Sequence, residues 1–343
     1  MSGVVLAGII AAVVSWIVSA WVVKNAKKLK VVDDPSVRKE VKNTHNKPVP
    51  RGGGIPIWAA VTITAAIFIP ASQLRYGIII TLLLLAVVGY LDDRNQKGIS
   101  PYWRLIINVV VGGVIFFSGW AIRYVTNPFG GIILFGGGTA FLVTVMWLTW
   151  MQNVVGWSSG VDGQLPGFVV IAAIAIAVMS RQENNFQALI LAAITAGAYL
   201  GFLPWNFFPQ KIMPGYGGKS MAGLLLGLVA MLSVARVGAM AMVLGLPFVD
   251  AFWVIIKRIS EGRSPVWGGR EHLHHYLLDI GWSRRKISLF YWLVSAVLAV
   301  GAIQLKATAW YFTMTAVVLV ISGMILWVKS LSGYSKQPGP GSG

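Results

Sequence analysis

The chain has 343 residues, 56% of them hydrophobic and 11% charged, with a mean hydropathy of +0.72. Soluble domains carry about 25% charged residues, so an ordinary water-facing surface is excluded, and the lack of cysteine excludes disulfides and thiolate metal sites. The net charge of +17 would suggest nucleic acid in a soluble protein, but in so apolar a chain it reads as the Lys/Arg excess of cytoplasmic loops, with no nucleic acid implied.

A membrane-spanning helix takes about 20 mostly apolar residues. Eleven segments meet or approach that length: about 3–23, 53–72, 76–91, 103–122, 138–153, 165–180, 187–203, 219–236, 238–257, 288–306 and 309–329. The first has no basic segment before it and no clear cleavage site after it, so it is expected to be retained rather than removed as a signal peptide. With the N-terminus outside, all but five of the 28 Lys and Arg fall on inside segments; the five are Arg75, Arg123, Arg181, Arg236 and Lys306. This asymmetry predicts an N-out, C-in topology. Residues 1–332 read as one all-α polytopic membrane bundle of about eleven helices, and 333–343 as a disordered tail.

The polar residues gather on the inside face. Of the eleven acidic residues only Glu183 lies outside, and all four histidines lie inside. In chain order, the first constellation is Arg38, Lys39, His45 and the run Pro48–Gly54 with Arg51. Glycines opening a helix let phosphate oxygens approach backbone N–H groups, and Arg51 could add a charge-assisted pair. A basic loop touching anionic lipid headgroups fits the same residues. Asp92 and Asp93 follow at the mouth of the third span, where adjacent carboxylates could share a hard cation such as Mg²⁺ bridging to phosphates. Ionisable residues at membrane depth are functional by default. In the third run, from Asn153 to Gly163, glycines are expected to break the helix and turn Asp162 into a cavity, or else to form a simple turn. The fourth, Met213 to Ser220, is a glycine-rich entry to the eighth span in which Lys219 could neutralise phosphate. The fifth holds Arg263, Arg270, His272, His274 and His275, a set suited to an anionic ligand, or with Glu271 to a metal.

Taken together and in this order, these motifs resemble the polyprenyl-phosphate N-acetylhexosamine-1-phosphate transferases, from about Asp34 to about Leu277. Leu91-Asp92-Asp93-Arg94 looks like the family's aspartate pair. Phe202 to Pro209, Pro247 to Asp250, Arg258 and Gly262 to Pro265 look like its later loops and its ninth helix. His272-Leu273-His274-His275 looks like the branch using UDP-N-acetylglucosamine or a related UDP-sugar. The resemblance implies a multi-pass plasma-membrane enzyme with a cytoplasmic active face, serving cell-wall or surface-polysaccharide synthesis. Its partners would be a UDP-N-acetylhexosamine, a polyprenyl phosphate and membrane lipid, its cofactor Mg²⁺, and it could act as a homodimer. It further implies that Asp92, Asp93 and Asp162 are catalytic, with Asp92 and Asp93 on the metal. His45, Arg51, Asn153, Lys219, Arg263, Arg270, His272, His274 and His275 would bind substrate, and the isoprenoid tail would lie between helices.

Two motifs depart from that pattern. In the third loop the family's Asn and Asp are Gly156 and Ser159 here. In the glycine motif its Mg²⁺-binding aspartate is Tyr216 and its serine is Lys219. A phenol is a poor Mg²⁺ ligand, so the competing expectation is a non-catalytic relative that binds polyprenyl phosphate or acts in a complex. A lipid or sugar transporter would place ionisable residues near the bilayer midplane, and here only Asp250 comes near it.

Overall fold

A computed structural model describes residues 1–36, 47–95, 98–127, 131–233, 237–305, 307–331 and 333. Arg38, Lys39, Glu40, His45 and all of the expected tail but Gly333 lie outside the described residues. The helices are α1 (Ser2–Leu29), α2 (Gly54–Phe68), α3 (Gln73–Arg94), α4 (Pro101–Phe117), α5 (Gly137–Trp157), α6 (Gln164–Gln182), α7 (Phe186–Asn206), α8 (Gly215–Leu232), α9 (Val237–Val243), α10 (Gly245–Ser260), α11 (Leu273–Asp279), α12 (Arg284–Gln304) and α13 (Ala307–Leu331). Two antiparallel two-stranded ribbons join them: β1 (Val32–Asp33) with β2 (Val49–Pro50), and β3 (Tyr124–Thr126) with β4 (Ile132–Leu134). Each of the eleven expected spans falls on a helix, the ninth on a broken pair. By length and apolarity seven of the described helices could cross a membrane, or eight if α9 and α10 make one span; α2 and α4 are shorter apolar helices.

The helix α8 is the centre of the bundle. Its residues are buried almost throughout, and it packs against α2, α3, α5, α6, α7 and α9. Lipid tails are as apolar as leucine, so helices in a bilayer associate by close packing, which small residues permit. Glycine supplies that closeness here. A Cβ on Gly89 of α3 would lie 2.5 Å from the Gly217 Cα of α8, and one on Gly54 of α2 would lie 3.1 Å from the Gly218 nitrogen. Gly197 and Gly201 of α7 face the Gly8 and Ala12 carbonyls of α1, leaving no room for a methyl group. The buried stripe of α1, with Ala7, Ala11, Ser15 and Ser19, meets them.

The expected ninth span is not one straight helix. It breaks between Val243 and Gly245, and its halves diverge by 84°. Pro247 accounts for the break, because in a continuous helix its ring would meet the Val243 carbonyl and its missing N–H would leave that carbonyl unbonded. In the first turn of a new helix the same proline is tolerated. Below the break, Leu246 and Val249 join a second core with Tyr276, Leu277, Ile287, Tyr291 and Ile325, which seats α10 among α11, α12 and α13.

Two further boundaries differ from expectation. The helix α5 continues through Gly156 to Trp157, so the glycine does not end it. The helix α8 starts at Gly215, which puts Tyr216 and Lys219 in its first two turns rather than in a loop.

Candidate active site

The aspartate pair ends α3, where adjacent residues point about 100° apart around the helix. Asp92 turns toward α4. Its Oδ1 accepts from the Ile99 N–H at 2.7 Å and from Arg104 Nε and Nη2 at 3.1 and 2.7 Å. Asp93 turns toward α8, and its Oδ1 accepts the Tyr216 N–H at 3.3 Å. That N–H belongs to a helix N-terminus, where the unpaired donors favour an anion. The anion there is Asp93 itself, so the expected phosphate cradle at this turn is already engaged. Gly215 has a φ of 63°, and a Cβ on it would strike the Asp93 carboxylate. Backbone and space both call for glycine at this one position.

Arg51 stands among three carboxylates. Its guanidinium lies 3.6 Å from Asp33, 3.7 Å from Asp92 and 3.4 Å from Asp93. Local backbone pairing holds it there. The Arg51 N–H donates to the Val31 carbonyl at 2.7 Å, the Met213 N–H to the Pro50 carbonyl at 2.7 Å, and the Gly53 N–H to the Met213 carbonyl at 3.0 Å. A Cβ on Gly53 would lie 2.5 Å from that Met213 oxygen, so the glycines after Arg51 serve this zipper.

Tyr216 directs its hydroxyl to α4. It donates to Asn108 Oδ1 at 2.9 Å or to the Arg104 carbonyl at 3.2 Å, with the Arg104 guanidinium 5.5 Å from the ring centroid. Lys219, one turn further along α8, lines the same pocket.

Asp162 is fully enclosed and lies behind the pocket wall that Ser159, Gly160 and Val161 form. Its Oδ2 accepts the Gln210 N–H at 3.2 Å, its Oδ1 lies 3.7 Å from Arg284, and its carbonyl accepts the Ser288 hydroxyl at 2.6 Å. It therefore ties the loop to the segment after α7 and to α12. Ser159 donates to the Gly156 carbonyl at 2.6 Å. Asn153 donates to the Thr149 carbonyl at 2.7 Å and lines the pocket.

The histidine loop is set by Asp250, an acid buried in α10. Its Oδ2 lies 2.8 Å from His272 Nδ1 and its Oδ1 accepts the Leu273 N–H at 2.8 Å. The pair starts α11 and leaves the other ring nitrogen of His272 for the pocket, which His272, His274 and His275 all line. The His272 and His274 rings stack 5.6 Å apart, and the absence of a Cβ on Gly160 makes room for His274. Burial above all, with neighbouring positive charge adding to it, pushes His274 well below the ordinary range and His275 down to about 3. Both rings are therefore neutral near pH 7. Arg263 bonds Glu261 and Glu271, and Arg270 bonds Asp279 at 2.7 Å. Neither arginine lines the pocket. Arg258 grips Glu271 at 2.8 Å and the carbonyls of Ser264 and Trp267, which braces the loop.

The pocket has a volume of about 250 Å³. Beside it an apolar groove of about 570 Å³ runs between α4, α5 and α10, lined by Leu105, Val109, Trp150 and Phe252 among others. Asn153, Trp157 and Val266 belong to both walls. Sequence reasoning did not single out Arg104, Asn108 or Gln152, which also line the pocket, nor the pairing of Asp250 with His272.

The donors around the aspartate pair do not fit a carboxylate-held Mg²⁺, which takes near-octahedral oxygen ligands. No group of three or more His, Asp or Glu among the described residues is arranged to hold a metal. Asp92 Oδ2 is buried and accepts no hydrogen bond, but it faces Arg51. The position expected to supply a third carboxylate is the Tyr216 phenol, turned toward Asn108.

Residues 76–234 match the model of glycosyl transferase family 4. The chain is also 30% identical over 334 residues to the probable undecaprenyl-phosphate N-acetylglucosaminyl 1-phosphate transferase of Bacillus subtilis (strain 168), with 95% of this chain and 92% of that protein covered. The chain belongs to glycosyl transferase family 4. A second relative is the decaprenyl-phosphate N-acetylglucosaminephosphotransferase of Mycolicibacterium smegmatis, 28% identical over 87% of this chain and 80% of that protein. A third is the phospho-N-acetylmuramoyl-pentapeptide-transferase of Bacillus pumilus, 26% identical over 79% of this chain and 88% of that protein. As a family 4 member the chain is a glycosyl-1-phosphate transferase, built as a multi-pass membrane protein.

Proposed function

We propose that the protein transfers an N-acetylhexosamine-1-phosphate, with N-acetylglucosamine as the first candidate sugar, from a UDP-sugar to a polyprenyl phosphate at the cytoplasmic face of the plasma membrane. The observation that carries this reading is the meeting of a cationic polar pocket and an apolar groove along Asn153, Trp157 and Val266. A nucleotide sugar suits the first and an isoprenoid tail the second. An oxygen of the lipid phosphate attacks the β-phosphorus of the UDP-sugar. The bond from that phosphorus to the bridging oxygen breaks, UMP leaves with the oxygen, and a lipid-linked sugar diphosphate forms.

Such a transfer depends on positioning and on counter-charge for the phosphate oxygens. Among the described residues, Arg51, Arg104 and Lys219 are the cations lining the pocket. His272, held by Asp250, turns its other ring nitrogen to the pocket, and the neutral His274 and His275 each carry one N–H that can donate to a sugar or phosphate oxygen.

The test is UMP release by purified protein given polyprenyl phosphate and UDP-N-acetylhexosamines. Turnover with one of these sugars is expected. Retained lipid binding with no UMP from any of them would instead favour a lipid-binding relative without catalysis.

A further inference from the structure

We infer that the transfer centre of this protein is neutralised by its own side chains and works without a bound divalent cation; this rests on the transferase reading. Three carboxylates meet at the centre: Asp33, Asp92 and Asp93. Three cations are set against them. Arg51 lies between all three acids, Arg104 is bonded to Asp92, and Lys219 lines the pocket beside them. Among the described residues, these three acids and three cations balance in charge.

Geometry points the same way. The space between Asp92 and Asp93 faces the Arg51 guanidinium at 3.7 and 3.4 Å. Mg²⁺ needs oxygens at about 2.0–2.1 Å in near-octahedral array, so it could sit there only by expelling Arg51. The Arg51 backbone is held beside the pair by its bond to Val31 and by the neighbouring zipper to Met213. The position that would complete a ligand set is the neutral Tyr216 phenol, which donates to Asn108 Oδ1 or to the Arg104 carbonyl.

Two residues carry the exchange. The resemblance described above implies an aspartate at the position of Tyr216 and a serine at that of Lys219. Each replacement makes the centre one unit charge more positive. Together they add the charge that one divalent cation would bring. A guanidinium has five N–H donors in a fixed fork suited to phosphate oxygens. At ion-pair distances longer than a direct hydrogen bond, Arg51 can turn those donors to a diphosphate while still balancing the acids.

The test uses the full chain in detergent with Mn²⁺ as the probe. Electron paramagnetic resonance of added Mn²⁺ should show no protein-bound ion in the wild type. UMP release should agree within about twofold between EDTA and Mg²⁺. The Y216D/K219S variant should gain a Mn²⁺ site, and Y216D alone serves if the double variant does not fold. A tight Mn²⁺ site in the wild type would overturn the inference, as would UMP release lost in EDTA and restored by Mg²⁺. A folded variant that gains no Mn²⁺ site would overturn the assignment to these residues. If no UMP is released under any condition, the transferase reading fails, and calorimetric binding of UDP then decides the point. Equal affinity in EDTA and Mg²⁺ supports a self-neutralised centre, whereas tightening by Mg²⁺ of about tenfold overturns it.

Discussion

Asp250 uses both carboxylate oxygens on the histidine loop, one on the His272 ring and one on the Leu273 N–H. Asn in its place keeps one acceptor and loses the charge. Hydrogen bonds to a charged partner contribute about 1.5–3 kcal/mol, so Asp250→Asn should lower the unfolding midpoint and cut UMP release about tenfold. Thermal scans with UMP assays check this, and an unchanged rate in a folded variant would count against a positioning role. The neutral histidines give a pH dependence of definite sign. An unfolded histidine titrates near 6.5, whereas burial holds His275 down to about 3. Between those values the unfolded chain binds the extra proton, so stability falls as pH drops below about 6.5. The unfolding midpoint should be lower at pH 5 than at pH 7, and His275→Asn should shrink the difference. The residue types of the site were legible in the sequence: the aspartate pair, the histidine triplet, Arg51 and Lys219 all come to one pocket or its edge. Their partners were not legible. Asp250 and His272 meet only because α10 turns away from α9. Asp162 faces Gln210 and α12 rather than the cavity because the loop wraps over it. Arg263 and Arg270 are taken up by carboxylates close by in sequence.

Helix contacts turn on glycine. Gly89 lies where α3 crosses α8, with the Gly217 backbone 2.5 Å from where a Cβ would stand. Alanine favours a helix over glycine by about 0.5–1 kcal/mol, but overpacking against backbone costs about 1–3 kcal/mol, so the clash outweighs the propensity. Gly89→Ala should lower the unfolding midpoint and weaken catalysis, since the same crossing sets Asp93 against the Tyr216 N–H. Gly113 of α4 has open space around it, and Gly113→Ala should show no loss. Thermal unfolding of both in one detergent checks the pair. Apolar length was enough to locate the long helices, though not the short α11. It missed the bend at Val243, although Pro247 was present as its signal, because α9 and α10 read together as one continuous apolar run. It also missed the early start of α8, since glycines that read as a loop are there to let α2 and α3 approach.

At the scale of the molecule, the Lys and Arg asymmetry predicts which side each loop faces. The chain has no cysteine, so single-cysteine variants report cleanly. Gln182→Cys, exposed at the end of α6, should react with an impermeant maleimide on intact cells. Lys28→Cys, exposed at the end of α1, should react only after permeabilisation. The reverse pattern would invert the proposed orientation. The shared wall of Asn153, Trp157 and Val266 has a kinetic corollary. One reactant arrives from three-dimensional solution, the other from a two-dimensional film. For the acceptor lipid, concentration is then a mole fraction within the bilayer or micelle rather than a molarity. Diluting the lipid with inert detergent should slow the reaction even at a fixed number of moles per litre. The half-saturating amount should stay constant only when expressed per amphiphile.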